Sequence, residues 1–313
     1  MTRPTATVLG SFAYWAKADL HTHLSRATAQ GVNIDFLADS GAFTAYTTGK
    51  QVTIKQYATW LTLHAPLINA AMTLDVIGDP AASARNTRAL QDALGSSVYI
   101  IPIFHVGSPW AELARWCADH PYVALGGGVA VAGRERAFLQ WLVRAHRIAA
   151  DHGTALHGLG MTKPAYVEPL PFYSTDSSYW VTSSRTGRVA LFDEKYGRFK
   201  PVLLGTRQVA EDPRLAALVR SYGGDPRAVA TPGFGKKSAR GEAFRPEKLW
   251  AEQAGAEAWI RYAHHLASLR PVLPPPDPVR GSGPKIYLAA GDREELQMIV
   301  AATAHAAAAR GAA

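Results

Sequence analysis

Phe172-Tyr-Ser-Thr-Asp176-Ser-Ser-Tyr-Trp-Val-Thr-Ser-Ser-Arg185-Thr-Gly187-Arg188 is the stretch whose reading decides the fold. It opens as a short apolar and β-branched run, the pattern of a buried strand. The run ends on an acid, Asp176, followed by small hydroxyl residues. Arg185, Thr186 and Gly187 come next, then a hairpin-like segment from Val189 to Val202. A lone strand-end Asp often just caps the following element. In α/β barrels, however, reactive groups stand at the C-terminal ends of buried strands. The neighbouring sequence decides between these.

The same pattern repeats on both sides. Strands are predicted over Thr7–Tyr14, Ile34–Ala38, Ala70–Val76, Val98–Phe104, Tyr122–Leu125 and Ala155–Leu159, with the Asp176 run as the seventh. Helical patterns separate them. In Arg134–Asp151, Phe138, Trp141, Leu142, Ala145 and Ile148 share one face, and Trp110–Ala118 is a second example. Strands alternating with helices imply a parallel sheet with right-handed crossovers. Lys285–Gly291 supplies an eighth strand and a helix follows from about Asp292. The expected fold is an α/β TIM (β/α)8 barrel, a single catalytic domain over 1–313. Between strands seven and eight lies a basic insertion, 184–284, with a helix starting near Pro246 and a Pro-rich linker from Pro271 to Pro284.

Composition narrows the partners. The chain has 313 residues, 48% hydrophobic, enough for one large core. Its net charge of +8 favours a polyanion such as nucleic acid. A single cysteine, Cys117, excludes an internal disulfide and a cysteine-based zinc site. No apolar run reaches membrane-spanning length and no signal-peptide pattern is present, so a cytoplasmic location without membrane contact is expected.

The strand ends carry the chemistry. Asp39, Asp75, His105, the Gly126–Gly128 run, His157 and Asp176 each close a predicted strand, and a barrel brings all of them to one face. Two strand-end carboxylates, Asp39 and Asp176, can divide labour, one attacking a sugar carbon and the other moving a proton. Asp75 suits the N–H edge of a purine-like base and His105 a base carbonyl. Gly126 and Gly127 allow a flat ring close to the backbone, or simply a loop that needs room. Arg185, Arg188, Lys195, Arg198, Lys236, Lys237 and Arg240 are candidates for binding phosphates.

Asp39-Ser-Gly-Ala-Phe43 resembles the Asp-Ser-Gly-Gly-Phe motif of tRNA-guanine transglycosylases, and Asp176 with Arg185-Thr-Gly187 resembles their nucleophile segment. The likeness is closer to phage and bacterial DNA-guanine transglycosylases, which insert 7-deazaguanine bases into DNA. It runs in consistent order from Phe36 to Arg188. It includes Tyr57, Asp75-Val-Ile-Gly-Asp-Pro80, Phe104-His-Val-Gly107, Ala124-Leu-Gly-Gly127, His157-Gly-Leu-Gly160 and Tyr173-Ser-Thr-Asp176-Ser-Ser-Tyr-Trp180. The resemblance implies Asp176 as nucleophile and Asp39 as general acid/base. It implies Asp75, His105, Gly126, Gly127, Ser40, Gly41 and His157 as substrate-binding positions. DNA is the implied polymer, with tRNA as alternative, and the incoming base a 7-deazaguanine such as preQ0 or a derivative. No cofactor or metal is expected. The chain departs from the tRNA branch, which has a Cys/His zinc site that Cys117 alone cannot build, and a glutamine near the position of His105.

Two other readings compete. Asp19-Leu-His21-Thr-His23 has the form of a zinc-binding pair in metal-dependent amidohydrolases, with His105, His157 and Asp176 completing the site. Its histidines, however, fall beyond the first predicted strand. A non-catalytic nucleic-acid-binding module would explain the charge but not the paired acids.

Overall fold

In a computed structural model, residues 3–49, 51–127, 135–181, 186–234, 246–270, 273–274 and 281–311 are described. The strands are β1 (Thr5–Ser11), β2 (Asn33–Asp39), β3 (Ala70–Met72), β4 (Ile100–Ile101), β5 (Ile103–His105), β6 (Tyr122–Gly126), β7 (Ala155–Gly158), β8 (Ser174–Ser177), β9 (Arg188–Asp193), β10 (Arg198–Leu203) and β11 (Lys285–Ala290). Nine of them form one sheet in the order β4-β3-β2-β1-β11-β8-β7-β6-β5, every pair parallel. Its two edge segments, β4 and β5, are halves of one strand interrupted at Pro102, which has no N–H to give to a ladder. The Pro102 carbonyl still accepts from the Ala124 N–H, and Thr73 donates to Ile101. The sheet therefore curls round to meet itself as the expected α/β barrel.

Alternation along the strands builds two cores. Leu9, Leu37, Met72, Ile101, Ile103, Tyr122, Tyr173 and Tyr287 fill the barrel interior. Val8, Phe36, Phe104, Val123, Leu156 and Leu288 face outward and bury under the helices. Burial on both faces is why the strands read as continuous apolar runs. At the N-terminal end of the barrel, Asp35 Oδ2 accepts from Lys285 Nζ (2.5 Å) and from Tyr287 Oη (3.0 Å), tying β2 to β11.

Three predicted boundaries shift. The first strand ends at Ser11, and Phe12–Trp15 is a helical turn whose Trp15 indole donates to the Ala290 carbonyl at 2.6 Å. The third strand stops at Met72, so Asp75 stands in the loop beyond it. The fourth is split at Pro102. The helix Glu135–Asp151 buries Phe138, Leu142 and Ala145 as its pattern requires.

The segment between strands seven and eight is more than an insertion. Its last helix, Pro246–Leu269, packs on β9, on β11 and on the final helix Arg293–Gly311, so it serves as an outer-wall helix of the barrel. That helix runs from mouth to base. Gly255 packs against the Trp180 carbonyl just past β8. Ile260, Ala263 and His264 line a 410 Å³ cavity at the base with Thr5, Asp35 and Lys285. The antiparallel hairpin β9–β10 lies along this helix. Val189 packs near Gly255, whereas Gly197 at the turn packs on His265.

Candidate active site

Asp39, Asp75 and Asp176 stand on one arc of the barrel mouth. The strands involved, β3, β2, β1, β11 and β8, are consecutive neighbours. Asp39 ends β2, Asp176 lies near the end of β8, and Asp75 follows β3.

Asp176 is held from beneath. Its Oδ1 accepts from the Gly160 backbone N–H at 2.8 Å and faces His157 Nε2 at 3.2 Å. Gly160 adopts φ +61°, a conformation that suits glycine and turns its N–H toward the acid. His157 is fully buried. Its Nδ1 lies 2.7 Å from Ser174 Oγ, which lies 2.5 Å from Tyr122 Oη. No described residue makes a hydrogen bond to Oδ2, and the side chain is 16% exposed at the mouth. The substrate contact expected of His157 is therefore replaced by support of Asp176. The ring lies under the acid, inside the barrel, and is closed off from solvent.

Asp39 lies in a different environment. Burial raises its carboxyl above the ordinary value, and the nearby charges of Asp176 and Asp75 raise it further. The Gly41 N–H, donating to Oδ2 at 2.9 Å, and the Ser11 hydroxyl beside it oppose the shift. Gly41 has φ +76°, and a Cβ there would stand 2.7 Å from that of Ala13, so the Asp39-Ser-Gly turn needs glycine. Ser40 is buried behind the turn. Two acids so differently placed suit different jobs, one kept ready to donate a proton and the other hydrogen-bonded as an acceptor.

Asp75 and His105 face each other. His105 Nε2 lies 3.0 Å from Asp75 Oδ2, and Ser83 Oγ donates to Oδ1 at 2.8 Å. Both remain partly exposed, so a ligand reaching Asp75 meets an acid already oriented by two partners. Gly126 makes room for His105 rather than for a ring, since a Cβ there would lie 3.0 Å from the imidazole. Gly127 has φ +91° and turns the chain beside Val106. Tyr57, from the helix Ile54–His64, is buried and donates to the Met72 carbonyl at 3.0 Å.

Around this arc the short helices and turns that follow the strands expose large apolar side chains. Tyr14, Phe43 and Tyr179 are 59%, 60% and 51% exposed, and Ile77 stands with them after β3. Arg188 is exposed at the mouth end of the hairpin. Lys195 and Arg198 flank the Tyr196 ring at the opposite end, level with His265. From Gly255 to His265 is about 15 Å along the helix at 1.5 Å per residue. The hairpin thus runs along the barrel wall. Arg185, Gly128, Lys236, Lys237 and Arg240 lie outside the described residues.

His21 and His23 sit on the helix Leu20–Ala29, outside the barrel, with His23 against Trp15. Among the described residues no three His, Cys, Asp or Glu side chains are grouped to hold a metal, so the His21, His23, His105, His157 and Asp176 set is not brought together. The chain matches no protein-family model, and neither the curated proteins nor the solved structures contain a match.

Tyr122, Ser174, Ser83 and Gly160 were not among the expected site residues. Ser174 was within reach of the sequence, because it precedes Asp176 by two on a strand and so shares its face. Tyr122 gave no such signal, since its hydroxyl meets Ser174 only through barrel curvature.

Proposed function

We propose that the chain is a glycosyl-transfer enzyme that exchanges guanine in a polynucleotide, DNA in preference to tRNA, for a 7-deazaguanine. The observation that carries this reading is the contrast between the two acids at one mouth. Asp176 has one oxygen hydrogen-bonded and one open, while Asp39 is held toward its protonated form. In the first step Asp176 Oδ2 attacks C1′, the glycosidic bond breaks, and Asp39 gives its proton to the departing guanine. The resulting aspartyl–sugar ester is then attacked by the incoming base, whose proton passes to Asp39. Asp176 is released as a carboxylate, and two inversions leave the linkage in its original sense. No cofactor enters this cycle.

The exposed Tyr14, Phe43 and Tyr179 are suited to stacking unpaired bases, and the net charge of +8 suits a polyanion. DNA is preferred because Cys117 alone cannot supply the zinc site that the tRNA branch carries. The test is mass spectrometry of nucleosides from DNA and tRNA of cells that express the protein and can make 7-deazaguanines. Deazaguanine in the DNA fraction is expected. Its confinement to tRNA would overturn the choice of polymer, and its absence from both would overturn the activity.

A further inference from the structure

We infer that Tyr122, Ser174 and His157 form a one-directional hydrogen-bond relay that fixes His157 as its Nε2–H tautomer and thereby presents Asp176 to the mouth with Oδ2 open. The direction follows from the acceptors. Asp176 Oδ1 already takes the Gly160 N–H, so it acts as an acceptor, and the His157 nitrogen facing it at 3.2 Å must bring the hydrogen. A neutral imidazole donating from Nε2 accepts at Nδ1, so the Ser174 hydroxyl, 2.7 Å away, donates to it. Ser174 Oγ in turn accepts from the Tyr122 hydroxyl at 2.5 Å. The opposite tautomer would set a ring lone pair against the carboxylate.

Water cannot substitute for these groups. His157 and Ser174 are fully buried, and the rings of Tyr122 and Tyr287 pack at 6.4 and 6.2 Å from the imidazole. Asp176 is the charged group hydrogen-bonded to His157, and Tyr287 is itself committed to Asp35. Tyr122, Ser174 and His157 are positioning residues. None reaches the mouth, and all act through Asp176.

The tautomer is measurable whether or not the protein exchanges bases. Nitrogen-15 NMR of the histidine-labelled full chain at neutral pH should show His157 as Nε2–H. Ser174→Ala should move it toward the Nδ1–H form, and the isosteric Tyr122→Phe should move it part of the way, which keeps a readout if Ser174→Ala fails to fold. An imidazolium or Nδ1–H form in the wild type, or an unchanged signature in whichever variants fold, would overturn the relay.

The kinetic half rests on the reading of Asp176 as nucleophile. There Ser174→Ala should lower kcat for base exchange about ten-fold, with KM little changed, as expected for a lost hydrogen bond behind a charged group. An unchanged kcat would overturn the positioning role. If the wild type shows the Nε2–H signature but exchanges no base, the relay stands and the transglycosylase reading falls.

Discussion

Asp39 is where the site weighs on the stability of the fold. Its carboxyl is raised by burial first and by Asp176 and Asp75 after that. An acid whose folded value lies above its unfolded value binds more protons when folded. That contribution is fully present below the ordinary carboxylate value and is lost as pH rises through the raised one. Above the ordinary carboxylate value, burying Asp39 therefore opposes folding. Asp39→Asn removes the charge and keeps an acceptor for the Gly41 N–H. The variant should melt roughly 1–3 °C above wild type at pH 7, with the gain gone at pH 4, while base exchange slows. Thermal unfolding at the two pH values checks this, and an equal or lower midpoint at pH 7 would contradict it. Asp39 and Asp176 were legible in the sequence because each ends an apolar run. The role of His157 was not, since a strand-end histidine looks the same whether it points out of the mouth or down into the barrel.

The β9–β10 hairpin separates charges that are close in sequence. Arg188 lies at the mouth end, and Lys195 and Arg198 lie at the turn beside His265. On the proposed reading, phosphates of a strand entering the mouth would meet the first and not the others. Arg188→Ala should weaken oligonucleotide binding and reduce the salt slope by about one. Lys195→Ala with Arg198→Ala should leave both nearly unchanged. Fluorescence anisotropy across a salt series distinguishes them, and the reverse ranking would place the polymer along the wall instead. The sequence showed the hairpin through its alternating residues, but not its direction, which is set by packing of Val189 and Phe199 on the distant helix Pro246–Leu269. Element boundaries failed for a related reason. Phe12-Ala-Tyr-Trp15 continues the apolar run of β1, and a short apolar run does not distinguish strand from helical turn.

At the scale of the molecule, two histidines in the helical layer, His146 buried and His264 half-buried, contribute to the response to acid. His146, on the helix Glu135–Asp151, stacks edge-on to Phe172 at 4.5 Å. Burial lowers it to about 4, and Arg270 adds to the shift. Burial, with Arg310 and Arg261, also lowers His264 to about 4. Below the ordinary histidine value the unfolded chain takes up protons that these two sites refuse, so stability present above that value is lost as pH falls toward 4. By pH 5 the loss should reach about 1–2 kcal/mol for each site. Urea midpoints at pH 7 and pH 5 should therefore fall further in wild type than in a His146→Gln, His264→Gln double variant. Parallel declines would contradict the assignment. The barrel itself was legible because eight buried strands leave eight apolar runs. The closure at Pro102 was not, since it depends on β4 and β5 serving opposite edges of the sheet. The proposed covalent joining of Asp176 to the sugar is tested most directly by intact-protein and peptide mass spectrometry after acid quench of the protein with a guanine-containing oligonucleotide. A nucleic-acid adduct is expected on the peptide carrying Asp176, absent in Asp176→Asn. An adduct that persists in Asp176→Asn and vanishes in Asp39→Asn would contradict it.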